Sequence, residues 1–392
     1  MSSVRLPFCP NPEDVRCPRN WTVYRIEDAY EQLPVGKRYD KKTVSLEGNV
    51  PVLDQSHAGI LGYHSESPGI EASPEAPVVT FANHTCAMRL VKSPFSVIQN
   101  VFPLIGKSGI CDTRFLYYAS QGRQQTEEYK GHHPAWRRSY FALPCLETQL
   151  RIANVLCSLD NLIENNRRRI EILEEMAQAI YREWFVHFRF PGHETATFVD
   201  SPLGPIPEDW DVAPLEQIAD VAWGDTKVTK KSYSATGFNA YSAAGRDGFL
   251  PYFDFDRSGV VLAAIGSVGR TWFVQGKWSC IKNTIRFWSL DSRTPDAYLY
   301  LATREPSFWP TRGAAQPFIA LSDAKAVRVI VPSKSVAQGL DRFLSPLNRK
   351  ALHCRAEVAN LELSRDLLLP KLVSGEIDVC DLDLDAVLEG AV

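Results

Sequence analysis

Two stretches of the chain share a heptad pattern of apolar positions, one starting at Ile152 and the other at Leu340. Along each stretch, spacings of four and three residues alternate, which is the pattern of a coiled-coil face. An offset of 188 residues superimposes the second pattern on the first and keeps the apolar phase at eight of ten positions. The first stretch places on this face Ile152, Leu156, Leu159, Ile163, Asn166, Ile170, Leu173, Ala177, Ile180 and Trp184.

The repeat extends upstream of both stretches. Trp21 corresponds to Trp210 at an offset of 189, and the segment Gly59–Tyr63 corresponds to Gly248–Tyr252 at the same offset. Similar offsets over such a distance are hard to obtain by chance. The chain is therefore one unit used twice, and each copy is predicted to be a globular domain followed by a long helix.

The two heptad stretches predict helices over Arg151–Trp184 and Val336–Leu369, each about 50 Å long. Pro346 is expected to kink or split the second helix. Asn166, at a position where an apolar residue is expected, would fix the register of the helices. We expect the two helices to pack against each other, antiparallel, as a spine. In the alternatives, each helix packs on its own domain or forms an intermolecular dimer.

The domains are predicted to be mixed and rich in strands, so the fold class is α+β, with two such domains joined by two long antiparallel helices and an internal pseudo-two-fold repeat. Apolar runs bounded by glycine predict strands, and amphipathic runs predict short helices. The predicted strands are 78–82, 95–101, 139–143, 260–265, 271–274 and 284–288, and the predicted short helices are 214–221 and 294–303.

Composition favours a soluble protein of the cytoplasm. The nine cysteines are odd in number and include no Cys-x-x-Cys, which argues against a disulfide framework or a zinc ribbon. Neither a signal peptide nor a membrane helix is recognisable. The net charge of −3 gives no basic domain, so a nucleic-acid partner would need local patches or other subunits to neutralise its phosphates.

No motif for catalysis is recognisable in the sequence. Gly106-Lys107-Ser108 lacks the glycine that a phosphate-binding loop needs five residues earlier, where Val101 stands. No motif for amino-group methylation or for binding S-adenosylmethionine is present. The adjacent histidines His132 and His133 lack a spacing partner for a metal, so they are interpreted as polar loop residues. The sequence predicts neither a catalytic residue nor a metal ligand.

Five segments carry a resemblance to a known family. The stretch Leu143–Ala153, continued by Ser158–Phe188, resembles the central helical region of type I restriction-modification DNA specificity subunits, and Leu368–Ile377 resembles the end of their C-terminal helix. The opening Pro207–Leu215 and the loop Gly266–Gly269 are similar to that family's recognition domain. The resemblance implies target-recognition domains at 1–143 and 191–332, long helices at 144–190 and 333–377, and an acidic tail at 378–392.

The resemblance also implies a non-catalytic reader of a bipartite DNA target, with the spacing of its halves set by the helices. Two methyltransferase (modification) subunits and restriction/translocase subunits would join it, and S-adenosylmethionine, ATP and Mg would be bound by those partners. Two other classes remain open, a scaffold that does not bind DNA and an unrecognised single-chain enzyme. Sequence-dependent DNA binding with a methyltransferase subunit would exclude the scaffold, and activity of the isolated chain would support the enzyme.

In such a reader, polar and basic loop residues are expected to contact base edges and phosphates. The candidates in the first domain are Lys37, Arg38, Lys41, Lys42, Gln55, His57, His84, Arg89, His132 and Arg137. The candidates in the second domain are Thr226, Lys227, Lys230, Lys231, Ser242, Arg246, Ser267, Arg270, Arg312 and Gln316. The candidates for subunit docking on the helices are Asn165, Arg167, Arg168, Tyr181, Phe185, Arg349, Lys350 and Arg355. Arg365, at a seam position, is expected to reach outward by its aliphatic stem.

Overall fold

A computed structural model describes residues 6–7, 9–56, 59–123 and 131–379. The chain folds as two compact units. Unit 1 runs up to Arg167 and resumes at Arg355, whereas unit 2 comprises Arg168–Cys354. Each unit therefore contains a globular part and a section of both long helices.

Unit 1 contains two small sheets and a strand pair. Its strands are β1 Thr22–Arg25, β2 Tyr30–Gln32, β3 Val50–Leu53, β4 Ile60–His64, β5 Val78–Ala82, β6 Met88–Val91, β7 Ser96–Val97, β8 Val101–Gly106 and β9 Tyr140–Leu143. Its helices are α1 Thr113–Ser120, α2 His133–Arg138 and the first part of α3 Leu146–Tyr181. One sheet has the antiparallel order β2-β8-β5-β6. In the other, β3 lies between antiparallel β4 and parallel β7, and β1 pairs with β9.

Unit 2 repeats this arrangement. Its strands are β10 Phe198–Val199, β11 Ile206–Pro207, β12 Asp211–Pro214, β13 Ala219–Trp223, β14 Phe238–Ser242, β15 Gly245–Leu250, β16 Phe255–Asp256, β17 Gly259–Ala263, β18 Thr271–Val274, β19 Lys277–Cys280, β20 Thr284–Ser289 and β21 Arg328–Val331. Its helices are α4 Leu215–Ile218, α5 Asp296–Ala302, α6 Leu321–Ala326 and the first part of α7 Lys334–Val373. The sheet β13-β20-β17-β18 is again antiparallel, and β14 lies between antiparallel β15 and parallel β19. The strand order thus confirms the predicted repeat and the α+β class.

The long helices pack against each other within each unit. In unit 1, Asp160 of α3 pairs with Arg365 of α7, and Arg167 pairs with Glu362. The later residue of one helix meets the earlier residue of the other, so the helices are antiparallel. In unit 2, the ring of Trp184, just beyond α3, packs edge-on against Phe343 of α7 at 5.8 Å. The predicted two-helix packing is confirmed.

All the heptad positions are buried or partly buried. Ile152 and Leu156 join Leu369 and Leu372 in the core of unit 1. Asn166, which is only 6% exposed, also lies on this seam. The apolar stripe therefore forms part of the cores, because a helix buries the face on which apolar residues recur.

The expectation for Arg365 is wrong. Its guanidinium does not reach outward but lies 2.8 Å from Asp160, and the same carboxylate accepts a hydrogen bond from the Tyr118 hydroxyl at 2.7 Å. Burial opposes the charge of the guanidinium, but hydrogen bonds to Asp160 and Asp366 raise the pKa of Arg365 above its ordinary value. This seam position is thus an ion-paired link between α7, α3 and α1.

The second long helix does not split at Pro346, since α7 runs from Lys334 to Val373. Pro346 is exposed, whereas Leu344 is fully buried. The carbonyl that loses its amide partner therefore belongs to Arg342, which is also exposed and can bind water, while apolar contacts on the other face hold the helix.

Several predicted elements have different ends in the structure. The helix predicted over 214–221 stops at Ile218, and the chain continues as the strand β13, whose Ala219 and Val221 are buried. The strand predicted over 95–101 is interrupted by Asn100, whose positive φ of 65° reverses the chain between β7 and β8. Neither long helix, nor any other helix in the described part of the chain, combines the length and apolar character that a membrane span requires.

Candidate nucleic-acid interface

Three turns of unit 2 surround a cleft of about 390 Å³. They connect β14 to β15, β17 to β18, and β19 to β20. The turns come from two sheets, β13-β20-β17-β18 and β15-β14-β19-β16, and all three lie beside the cleft. The cleft is lined by Thr229, Lys230, Ser242, Ala243, Ala244, Gly266, Ser267, Ile281, Lys282 and Asn283. Of the candidates for DNA contact, the cleft brings together Lys230, Ser242 and Ser267.

The carboxylate of Asp247 binds the polar groups on one side of the cleft. Its carboxylate pairs with Lys230 and accepts hydrogen bonds from the hydroxyls of Ser242 at 2.6 Å and Tyr233 at 2.7 Å. Partial burial opposes ionisation, but these three donors hold the pKa of Asp247 below its usual value. Ser242 is only 3% exposed, contrary to its expected role, because its hydroxyl is turned inward toward this carboxylate.

Lys282, on another side of the cleft, is a cation that the sequence analysis missed. Its side chain is exposed and forms no ion pair with any other residue that the structure describes. The adjacent Asn283 has φ of +74°, and its carbonyl accepts hydrogen bonds from the amides of Ala264 at 3.0 Å and Ile265 at 3.3 Å. The signal for these residues was present in the repeat, since Asn283 corresponds to Asn100.

The loop Gly266–Gly269 has a backbone that requires glycine at both ends. Gly266 has φ of +99° and Gly269 has φ of +83°. A Cβ atom on Gly269 would lie 2.8 Å from the carbonyl oxygen of Pro306. Close approach to the 3-10 turn Pro306–Phe308 therefore holds this loop, and with it Ser267, beside the cleft.

The other candidates of the second domain do not line the cleft. Arg312 forms two hydrogen bonds of 2.6 Å with the Asp323 carboxylate, which raises the pKa of this arginine. Such a pair on the surface contributes little to stability, because solvent screens it. The exposed remainder consists of Thr226, Lys227, Lys231, Arg246, Arg270 and Gln316.

In unit 1, Gln55 and His84 lie on the equivalent turns and contact each other, and Arg89 of β6 reaches the turn that carries Gln55. The Gln55 side-chain oxygen accepts a hydrogen bond from the His84 amide at 3.0 Å, and the Arg89 guanidinium donates to the carbonyls of Asp54, at 3.0 Å, and Ser56. Burial lowers the pKa of Arg89. These side chains tie the turns together, so their donors are already engaged.

The remaining candidates of the first domain are scattered over its surface. Lys37 pairs with Glu66 at 2.6 Å, and Arg137 pairs with Glu27 at 3.0 Å. The exposed candidates without an ion pair among the described residues are Arg38, Lys41 and Lys42. His57 lies outside the described residues.

His132 and His133 are not polar loop residues, contrary to the sequence analysis. His132 is 5% exposed and precedes α2, and His133 is 6% exposed. The His133 ring stacks on Phe102 at 4.1 Å, beside the fully buried Trp136. Helix α2 thus packs on the sheet and carries His133 into the core. His132, which precedes the helix, is also buried and is therefore not on the surface available to DNA.

Unit 1 is expected to lose stability in mild acid because of His133. Burial, assisted by the nearby charge of Arg137, lowers the pKa of His133 to about 4. The histidine therefore contributes stability that is present above the unfolded-state pKa of about 6.5 and is lost as the pH falls to about 4, by up to about 3 kcal/mol. Urea unfolding between pH 7.5 and 4 measures this loss. In His133→Phe, which keeps the ring stack, the loss should be smaller; an unchanged pH profile would contradict the assignment.

The docking candidates on the long helices have varied surroundings. Arg167 pairs with Glu362, and Arg168 lies 2.9 Å from Glu171. Phe185 is 4% exposed and packs against Trp210 and Tyr298, so its ring is not free for a partner. Tyr181 also stacks on Phe185 and contacts Tyr298. The exposed docking candidates other than Arg167 and Arg168 are Asn165, Arg349, Lys350 and Arg355.

Large apolar side chains lie exposed on the same helices and were missed. Leu363 and Leu367 of α7, in unit 1, are 62% and 58% exposed. Ile172 and Met176 of α3, in unit 2, are 41% and 47% exposed. Each pair has the i, i+4 spacing that places both side chains on one helix face. That spacing outside the heptad seam was visible in the sequence.

Comparison with known proteins gives a consistent result. No family model matches the chain. The MjaIX type I restriction enzyme specificity subunit of Methanocaldococcus jannaschii is 22% identical, over 94% of this chain and 96% of its own length. The MjaVIII specificity subunit of the same organism is 25% identical over 54% of this chain and 52% of its own length.

A solved structure shares the fold. The S subunit of a type I restriction-modification system from M. genitalium matches with a TM-score of 0.61 and 18% identity, covering 90% of this chain and 96% of that one. The sequence relative spans nearly the whole of both chains, and the fold agrees with it independently. The chain is therefore similar, over nearly its whole length, to a type I restriction enzyme specificity subunit in sequence and to a solved S subunit in fold.

Proposed function

We propose that this chain is the DNA specificity subunit of a type I restriction-modification complex, and that it reads a target without catalysing a reaction. The observation that carries the proposal is the near full-length similarity to the MjaIX specificity subunit. The fold is consistent with it, because surface turns on a rigid sheet scaffold are suited to recognition. No three His, Cys, Asp or Glu side chains within the described residues group in a way that could hold a metal ion.

The target is bipartite in this proposal, with one block read by each recognition domain. Both units present the same three turns, but the side chains on them differ. Unit 2 offers a cleft with Lys282 and Asn283, whereas unit 1 offers turns tied by Gln55, His84 and Arg89. Because the two units have equivalent scaffolds but different side chains on their turns, we expect them to recognise two different half-sites. The domains would be residues 1–143 and 191–332, with helices at 144–190 and 333–377 and a tail at 378–392, of which 380–392 lie outside the described residues.

The catalytic work belongs to other subunits in this proposal. Two modification subunits would bind S-adenosylmethionine, and restriction subunits would use ATP and Mg. The net charge of −3 supports a shared interface, since a chain that grips DNA alone usually carries a basic face. Lys37, Arg137, Lys230 and Arg312 are each paired with a carboxylate, which limits the positive charge further. Because the proposed complex binds and methylates the DNA of the cell, it would be located in the cytoplasm.

Exchange of one recognition domain tests the proposed function. Replacing residues 1–143 with the matching domain of a related specificity subunit should change one block of the methylated target and leave the other block unchanged. Methylation mapping of DNA from cells that carry the hybrid and its partner subunits measures both blocks. The control is the reciprocal exchange of 191–332, which should change only the other block. A hybrid that assembles but alters both blocks, or neither, contradicts independent reading.

A further inference from the structure

We propose that Asn283 is a specificity-determining residue of the second recognition domain and that its side-chain amide reads an adenine. The inference rests on the proposed function and deepens it, since it assigns one base of the second block to one side chain. It is carried by the backbone that fixes Asn283, by the free amide in the cleft, and by the contrast with Asn100.

The backbone of Asn283 is held in a defined conformation at the cleft. Its positive φ of 74° sets the turn between β19 and β20, and its carbonyl binds the amides of Ala264 and Ile265 at the end of β17. These bonds continue the pairing of β17 with β20 beyond Ala263 and Thr284. A side chain that projects from such a backbone has a defined position before any ligand binds, which reduces the entropy lost on binding.

The amide of Asn283 is available to a ligand. It lines the cleft, is partly exposed, and forms no hydrogen bond with another side chain or backbone group of the described residues. Two other polar groups of the cleft, Lys230 and Ser242, are engaged because both bind Asp247. The exposed Lys282, next in the chain, supplies a positive charge that can hold a DNA phosphate and place the duplex against the cleft.

A carboxamide matches adenine better than the other bases. It offers one donor and one acceptor side by side, and the major-groove edge of adenine presents N7 as acceptor and the N6 amino group as donor. A bidentate contact of this kind discriminates against a wrong base by about 1–3 kcal/mol. The cleft thus has the chemistry to specify one base pair.

The equivalent Asn100 of unit 1 is not available in this way. It has a similar φ of 65°, and its carbonyl accepts a hydrogen bond from the Asn83 amide at 2.9 Å, so its backbone role is the same. Its side-chain nitrogen, however, lies 3.4 Å from His84 Nε2, within the group of side chains that ties the turns of unit 1. Asn100 is therefore the natural control for a role that is specific to Asn283.

The experiment compares Asn283→Gly, Asn283→Asp and Asn100→Gly, each in the full chain assembled with its modification subunit. Glycine and aspartate both tolerate a positive φ, so the turn is retained. Bound duplexes are selected from a randomised library and sequenced. The complex that contains the chain without substitutions should require adenine at one position of the second block. Asn283→Gly should lower that preference by on the order of ten- to a hundred-fold.

Asn283→Asp should shift the preference at that position from adenine toward cytosine, because a carboxylate only accepts hydrogen bonds and the cytosine amino group donates one. Asn100→Gly should leave both blocks unchanged. The inference is overturned if both Asn283 variants keep the original second block, if they lower binding equally for all sequences, or if Asn100→Gly produces the same change. If the complex that contains the chain without substitutions selects no sequence at all, the proposed function itself is overturned.

Discussion

Replacement of Leu363 and Leu367 together by aspartate is expected to release the modification subunit from this chain. The two leucines lie on one face of α7 and are about 60% exposed, while the heptad seam of the helix is already covered within the chain. Covering the remaining apolar surface of both would contribute about 3 kcal/mol to association, which is on the order of a hundred-fold in affinity. Burying two carboxylates instead would weaken the contact further.

Co-purification of a tagged modification subunit with the double variant measures this effect. The matched control is Ser364→Asp, which introduces a charge at an exposed neighbouring position that faces about 100° away from Leu363. The control should assemble normally, and circular dichroism should show that both variants keep their helices. Full assembly of the double variant would show that the modification subunit docks elsewhere, for example around the exposed Ile172 and Met176 of α3.

The order of apolar and polar residues correctly predicted which helix faces and strands are buried. The heptad seam predicted which faces of α3 and α7 are buried, since all its positions are buried or partly buried. The run Val78–Ala82 was predicted as a strand and forms β5, with all five residues buried. These predictions succeed because burial of one face, or of a whole short run, is recorded in the order of apolar and polar residues.

Contacts between distant residues were not predictable in this way. Ser242 was expected at the surface but binds Asp247, and Arg365 was expected to reach solvent but binds Asp160, which lies 205 residues earlier. His133 was placed on a loop because α2, the helix that contains it, is only six residues long. In each case the fate of a polar side chain depends on a partner supplied by another element, and no local pattern contains that partner.

The candidate interface shows the same division between what the sequence predicts and what it misses. Loops that differ between the two copies were expected to carry the residues that contact DNA, and two of the candidates, Lys230 and Ser267, line the cleft. Asn283 was missed because its correspondence to Asn100 makes it look like a frame residue. The backbone of Asn283 does have a structural role, because its carbonyl binds the end of β17. Its side-chain amide remains available to a ligand, and only the contacts seen in the structure distinguish this second role from the first.

Insertion of four residues of helix-forming sequence after Asn165 is expected to lengthen the unspecified gap in the DNA target by one or two base pairs. Helix α3 is continuous from Leu146 to Tyr181 and joins the segments that carry the two recognition domains. Four residues add about 6 Å to a helix, compared with about 3.4 Å for each base pair. They also rotate the following segment by about 400°, or about 40° beyond a full turn, and the paired helices can absorb such an insertion by local unwinding.

Methylation mapping of the insertion variant decides whether the helices set the spacing. Both specified blocks should remain as they are, because no recognition turn is altered, and only the distance between them should change. An insertion of two residues at the same place is the control, since its rotation of about 200° turns the seam residues away from their partners and should abolish modification. An active four-residue variant that still methylates the original spacing would show that the gap is fixed by something other than the length of α3.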